Sequence, residues 1–212
     1  QATGYRQVRI DPLTNPVLLG YLKERGILPE IAKKTCKEVH FQNKGKWYFA
    51  VGFANRSGGY EIRNKYLKGS ISPKEITHIQ NGSDRCIVVE GFMDYLSYLT
   101  LKAAHPGNGQ SKGNGPDYIV LNSVSNVGKA IPVLKEYKSA LCLLDNDTAG
   151  RQAFQQLAEA GCPVRDKSDC YQEYNDLNDY LLGKKMSQEN KVNPPSVSHA
   201  GQSIRKNRSE NH

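Results

Sequence analysis

The chain has 212 residues, of which 38% are hydrophobic and 24% charged, a composition typical of a globular protein with one large or two small domains. No apolar run approaches the roughly 20 residues that cross a bilayer, and the N-terminus lacks a secretory pattern. We therefore expect a cytoplasmic protein without a membrane partner. The formal net charge of +8 favours polyanionic partners such as nucleic acid, although residues 184–212 supply half of that charge.

The five cysteines include no pair at the close spacing of a zinc site. Cys86 and Cys142 lie in apolar segments, where the simplest interpretation is a buried cysteine with a structural role only. We therefore expect structural cysteines rather than a metal site built from thiolates.

Residues 1–80 predict a small α+β unit. The apolar spacing over residues 16–35 indicates two short helices, each beginning at a proline. Residues 39–41 and 47–53 predict two strands joined by a turn, and residues 60–64 predict a further strand. Strands that follow one another this closely favour antiparallel pairing.

Residues 81–186 show a different pattern, in which short apolar strands alternate with helices. Strands are predicted at residues 86–89, 118–121 and 139–144, with a fourth beginning at Val164; helices are predicted at residues 92–104, 128–137 and 148–160. This alternation indicates right-handed βαβ units and a parallel α/β sheet.

Two polar segments carry no such periodicity. Residues 105–116 are rich in Gly, Asn and Ser and predict a mobile surface loop. Residues 187–212 predict a disordered basic tail, because they offer too little apolar surface to offset the entropy of ordering.

Acidic residues directly follow two of the predicted parallel strands. Glu90 comes after the first strand, and Asp145 and Asp147 come after the third. Ligand sites in parallel α/β sheets gather at these carboxyl ends, and converging carboxylates suit Mg²⁺. The alternative is structural, with Asp145 as a helix cap and Glu90 as a solvated turn residue. A third acidic group, which begins at Asp176, is either a further metal ligand or another helix cap.

Two segments together resemble the Toprim signature, a Glu after the first strand and Asp-x-Asp after the third. They are residues 89–94, which read VEGFMD, and residues 145–147, which read DND. This signature is shared by primases, topoisomerases and some nucleases, and the form with GFMD after the Glu is most similar to bacterial replicative primases. Residues 176–181 resemble the acidic segment that closes the primase Toprim domain.

Three earlier segments are similar to the part of a primase core that precedes its Toprim domain. They are residues 21–27, 59–63 and 66–69. The resemblance implies a Toprim α/β fold preceded by a small α+β subdomain, with a nucleic-acid groove between them. It also implies that Arg63 and Lys68 bind the phosphates of the template strand.

The resemblance implies specific roles for the acidic residues. Glu90, Asp145 and Asp147 would be catalytic and, with Asp176, would bind Mg²⁺ or Mn²⁺. Asp94 lies one helical turn after Glu90 and faces the same side, so it would act next to the metal-binding carboxylates without binding the metal itself. The alternative for Asp94 is an ordinary carboxylate on an exposed helix face.

The resulting functional hypothesis is a Mg²⁺-dependent, primase-type nucleotidyltransferase. Its partners would be single-stranded DNA and nucleoside triphosphates. No zinc-binding or helicase-binding segment is recognisable, as in the reduced primase-like proteins of mobile elements, so such a domain or helicase would be supplied elsewhere. Two alternatives stay open: a Toprim nuclease that uses the same carboxylates, and a non-catalytic module that binds single-stranded nucleic acid.

Overall fold

The computed structural model describes residues 5–105 and 115–187. Its strands are β1 (Arg6–Pro12), β2 (Lys37–Asn43), β3 (Lys46–Ala54), β4 (Tyr60–Arg63), β5 (Lys68–Ile71), β6 (Thr77–Ile79), β7 (Arg85–Val89), β8 (Asp117–Val120), β9 (Ser139–Leu143) and β10 (Val164–Asp166). Its α-helices are α1 (Pro16–Glu24), α2 (Pro29–Thr35), α3 (Phe92–Ala104), α4 (Val127–Leu134), α5 (Thr148–Glu159) and α6 (Leu177–Leu182). None of these helices is long and apolar enough to span a bilayer. Most of the predicted loop and all but the first residue of the predicted tail lie outside the described residues.

The strands β1 to β5 form an antiparallel sheet in sequence order. The predicted helices α1 and α2 and the predicted strands β2, β3 and β4 are confirmed within a few residues. The strands β1 and β5 were not predicted. Because β1 is exposed over nearly its whole length, no alternation of buried and exposed residues marks it in the sequence.

The second sheet has the strand order β10-β9-β7-β8-β6. The first four of these strands are parallel, as predicted, and the buried runs of β7 and β8 are typical of strands covered on both faces. The edge strand β6 pairs antiparallel with β8. It falls inside the predicted unit of residues 1–80, so the chain passes from one sheet to the other between Ile71 and Thr77.

A continuous apolar core joins the two sheets. One cluster contains Leu22 of α1 and Phe53 of β3 together with Val89 of β7 and Phe92 of α3. The rings of Phe53 and Phe92 stack with centroids 5.4 Å apart. The helices α4 and α5 cover the other face of the second sheet in a separate cluster. The first sheet is therefore fixed against the α3 face of the second.

The cysteines in the apolar segments are structural, as expected. Cys86 and Cys142 are buried in the core. Burial raises the pKa of Cys86 to about 12, so its thiol stays protonated and is a poor nucleophile or metal ligand near neutral pH.

Candidate active site

Two neighbouring parallel strands bring Glu90 and Asp145 to the same edge of the second sheet. Val89, the last residue of β7, lies opposite Leu143, the last residue of β9. Glu90 follows Val89 at once, and Asp145 follows two residues after Leu143. Both acidic residues line a cleft of about 480 Å³. The expected convergence of these two carboxylates is therefore present in the fold.

Asp94 lies in the first turn of α3 and also lines the cleft. Its Oδ2 accepts a hydrogen bond of 3.2 Å from the backbone N–H of Gly91, and the residue is only 7% exposed. Burial raises the pKa of the Asp94 carboxyl, and the charges of Asp176 and Glu90 raise it further. The exposed helix-face alternative for Asp94 is wrong.

The side chain of Asp147 lies at the start of α5, and Asp147 is not among the residues that line the cleft. Its side chain caps α5, because Oδ1 accepts a hydrogen bond of 2.8 Å from the backbone N–H of Gly150. A Cβ at Gly150 would lie 2.1 Å from the backbone oxygen of Asp145, so only glycine allows this close turn. Asp147 thus has the capping role that the structural alternative gave to Asp145. Its charge nevertheless raises the pKa of Glu90, after the larger effect of burial.

Asp176 reaches the cleft from the segment between β10 and α6. It caps α6 by accepting a hydrogen bond of 2.6 Å from the backbone N–H of Asp179, and it also lines the cleft. The side chain of Asn146 anchors this segment by donating hydrogen bonds to the backbone oxygens of Tyr171 (3.0 Å) and Tyr174 (2.9 Å). Asn146 therefore holds Asp176 beside Asp145.

Basic residues of the first sheet form the opposite wall. Arg63 ends β4 and Lys68 begins β5, and the two residues are paired across these strands. Both line the cleft. Lys68 lowers the pKa of Glu90 against the larger effect of burial, and Arg63 likewise opposes the rise at Asp94. The cations and carboxylates are thus close enough to interact.

Several further polar residues of the cleft were not predicted from the sequence. Among them are Arg25, Glu61, Lys74 and Asn122. Glu61 lies two residues before Arg63, so strand alternation could have placed both on one face. Burial raises the pKa of Glu61 to about 7, although Lys74 and Lys68 lower it. Arg25 lies just after the end of α1, within the primase-like residues 21–27, but no role in the site was predicted for it.

The buried side-chain amide of Asn178 holds the backbone of Arg25. The side chain of Asn178 donates hydrogen bonds to the backbone oxygen of Arg25 (2.9 Å) and to Oγ of Ser97 (2.8 Å). Asn178 has no exposed surface, so α6, α3 and the end of α1 are tied together. Nε of Arg25 is buried without a hydrogen-bond partner among the described residues.

The carboxylates suit a hydrated cation. Oε2 of Glu90 and Oδ1 of Asp94 are buried without a hydrogen-bond partner among the described residues. Burial raises the pKa of Asp145, and the charges of Asp94, Glu90, Asp176 and Asp147 add to the rise. A cation would relieve this repulsion. Within residues 5–105 and 115–187, no group of three His, Cys, Asp or Glu side chains lies close enough together to hold one metal ion directly.

The fold and the acidic edge define a Toprim-like α/β domain that follows a small antiparallel-sheet unit. Residues 87–181 match the Toprim-like family, and residues 7–72 match a domain of unknown function, DUF8464. No curated protein sequence matches the chain.

Solved structures show the same fold. The primase fragment of the bacteriophage T7 primase-helicase is 18% identical, with a TM-score of 0.56 over 87% of this chain and 78% of its own. The Aquifex aeolicus primase, with its zinc-binding and RNA polymerase domains, is 17% identical, with a TM-score of 0.51 over 82% of this chain and 54% of its own. A third match, 19% identical, comes from the T7 lagging-strand DNA polymerase interacting with primase domains bound to an RNA/DNA hybrid and dTTP; its TM-score is 0.53 over 83% of this chain and 87% of its own. The chain is thus a Toprim primase-like protein in fold.

Proposed function

We propose that this protein is a Mg²⁺-dependent, primase-type nucleotidyltransferase that acts on single-stranded DNA in the cytoplasm, in the replication or transfer of a mobile element. One observation carries the proposal. Carboxylates at the ends of two neighbouring strands, Glu90 and Asp145, share a cleft with the cations of Arg63 and Lys68 on the opposite sheet. Such a cleft can hold a metal, a triphosphate and a nucleic-acid backbone together.

Mg²⁺, or Mn²⁺, would be held by Glu90 and Asp145, with Asp176 and Asp147 acting through bound water. When bound, the ion neutralises triphosphate charge and stabilises the pyrophosphate that leaves. The raised pKa values of Glu90 and Asp145 support this assignment, because each reflects burial and a surplus of negative charge that a cation offsets.

Glu90 either ligates the metal or, where Asp145 alone holds the ion, acts as the general base. A 3′-hydroxyl attacks the α-phosphorus of the incoming nucleoside triphosphate, a new O–P bond forms, pyrophosphate leaves, and the hydroxyl proton passes to Glu90. The unpartnered Oε2 of Glu90 is free to accept that proton, and its raised pKa makes it a better base than an exposed carboxylate.

Arg63 and Lys68 would bind phosphates of the template. Contacts of this kind fix the position of a strand without reading its sequence. A helicase and a zinc-binding domain, if required, would be separate partners. The T7 primase domains bound to an RNA/DNA hybrid and dTTP make single-stranded template and nucleoside triphosphates the ligands to test first.

The proposal is tested by incubating the chain with single-stranded DNA, Mg²⁺ and labelled ribonucleotides. We expect short new products that require the metal. Shortened DNA would instead indicate a nuclease. Binding without either product would indicate a non-catalytic module, and both of these results would contradict the proposal.

A further inference from the structure

A second cavity, the aromatic groove, lies beside the cleft. Its volume is about 410 Å³, and apolar side chains of α1, β3 and the turn between β4 and β5 line it, among them Val17, Tyr21, Phe49 and Tyr66. Tyr66 is 91% exposed and Val17 65% exposed. Apolar and aromatic surface this open to water is typical of a binding site.

A fixed turn presents Tyr66 to solvent. The backbone N–H of Tyr66 donates a hydrogen bond of 2.9 Å to Oδ1 of Asn64. Nδ2 of the same Asn64 donates one of 2.8 Å to the backbone oxygen of Phe49. The turn is therefore pinned to β3, and Tyr66 is kept open rather than collapsed onto the core.

A further exposed aromatic residue lies on β3, outside the lining of the groove. Trp47 is two residues before Phe49, so both side chains are on the same face of the strand. Trp47 is 58% exposed. Within the groove itself, Tyr21, Phe49 and Tyr66 supply the aromatic surface.

The aromatic groove and the cleft meet at two points of the chain. At the end of α1, Glu24 lines the groove and the next residue, Arg25, lines the cleft. At the end of β4, Arg63 lines the cleft and the next residue, Asn64, lines the groove. A strand whose phosphates contact Arg63 thus has an aromatic surface within reach of its bases.

We propose that the aromatic groove binds an unpaired base of a single-stranded nucleic acid, stacked on Tyr66. This inference rests on the proposed function, in that the strand is the one held in the cleft. Stacking suits such a partner because every base has a flat face, while nearby cations attract the backbone. Lys65 on the rim pairs with Glu24 at 3.3 Å, with both side chains more than half exposed. A pair this exposed is weak, so Lys65 can turn to a phosphate.

The test is a thermodynamic cycle that combines Tyr66 variants of the protein with abasic sites in the oligonucleotide. The affinity of a single-stranded oligonucleotide is measured for the wild type, Tyr66→Ala and Tyr66→Phe, with one abasic nucleotide moved along the strand. Tyr66→Ala should weaken binding at least about fivefold, the equivalent of one base stack, and Tyr66→Phe should retain affinity. The abasic position that weakens wild-type binding should have little further effect on Tyr66→Ala. Tyr48→Ala, on the opposite face of β3, is the matched control and should bind normally.

Three results would overturn the inference. The first is unchanged affinity in Tyr66→Ala. The second is a loss of affinity in Tyr66→Ala that is simply added to the loss caused by the abasic nucleotide, wherever that nucleotide is placed. The third is a wild-type dimer that Tyr66→Ala dissociates without changing DNA affinity, since the groove would then hold a second copy of the chain. Primer synthesis separates this inference from the proposed function. If the variants and abasic sites behave as expected but no primer is made, only the transferase proposal fails. If primer is made but Tyr66→Ala binds DNA normally, only the base-binding groove fails.

Discussion

Asp145 lies partly buried among other carboxylates. Burial, followed by the charges of Asp94, Glu90, Asp176 and Asp147, raises its pKa from 3.8 to about 9. Since the folded pKa is the higher one, folding favours the protonated form. This contribution to stability is fully present below about pH 4 and is lost as the pH rises towards 9.

The metal-free protein should therefore be stabilised by Asp145→Asn. With a chelator present at pH 8, the variant should have a free energy of unfolding at least about 1 kcal/mol above that of the wild type, and the gap should close towards pH 4. Urea denaturation measures this difference. Asp166→Asn, also at the end of a parallel strand but outside the cleft, should show no such gain. A wild type as stable as Asp145→Asn at pH 8 would contradict the electrostatic picture.

At the scale of single residues, the sequence located some of the site and missed the rest. Glu90 and Asp145 were identifiable because each follows an unbroken apolar run, residues 86–89 and 140–144. The capping role of Asp147 depends on a close turn at Gly150, which no pattern of residue types specifies. Arg25 reaches the cleft only through the packing of α6 on α3 and α1, a long-range contact.

At the scale of elements, the segment between β10 and α6 is held by side-chain hydrogen bonds. Asn146→Ala removes the bonds to the backbone oxygens of Tyr171 and Tyr174. The oxygen of Tyr171 still accepts from the backbone N–H of Tyr174, whereas the oxygen of Tyr174 is left without a donor among the described residues. The free energy of unfolding should fall by about 1–3 kcal/mol, and proteolysis within residues 168–176 should become faster. Urea denaturation and limited digestion measure the two effects.

Asn81→Ala is the matched control for that change. Its side chain donates one hydrogen bond of 2.7 Å, to the backbone oxygen of Pro116, so a loss of about 1 kcal/mol is expected, with normal digestion of residues 168–176. Equal digestion of both variants would show that Asn146 does not hold the segment.

The strands β7, which was predicted, and β6, which was missed, differ in length and burial. The four residues Cys86, Ile87, Val88 and Val89 are all buried, and an unbroken apolar run is legible in the sequence. The strand β6 has three residues, one of them buried, and is too short for a pattern. It is a strand because β8 offers it an edge to pair with.

At the scale of the whole molecule, the cleft is built from two sheets. The carboxylates belong to the second sheet and Arg63 and Lys68 to the first. The shared core that contains Phe53 and Phe92 sets the distance between these walls. The parallel α/β architecture could be predicted from alternation along the chain. That the acidic and basic walls face each other could not be predicted, because it depends on packing between segments far apart in sequence.

Replacing both Arg63 and Lys68 by Ala should flatten the salt dependence of single-stranded DNA binding. Each lost phosphate contact on a single strand removes about 0.7 from the slope of log affinity against log salt, so the expected change is about 1.4 for two contacts. Binding measured across a series of salt concentrations gives the slope.

The matched control for this double variant is Arg85→Ala with Lys138→Ala. It removes the same charge, but Arg85 lies at the start of β7, at the other end of the strand from Glu90. Its slope should stay near that of the wild type. If both double variants had the same slope of log affinity against log salt, the DNA would bind elsewhere, or only the net charge of the protein would attract it.

We propose that the acidic edge, with Glu90 and Asp145, and the basic wall, with Arg63 and Lys68, form one metal-dependent synthesis site. The most direct measurement compares primer synthesis on single-stranded DNA by the wild type, Asp145→Asn and Asp166→Asn, with and without Mg²⁺. We predict Mg²⁺-dependent products from the wild type and Asp166→Asn, and none from Asp145→Asn despite an intact fold. Equal synthesis by Asp145→Asn and the wild type would contradict the claim.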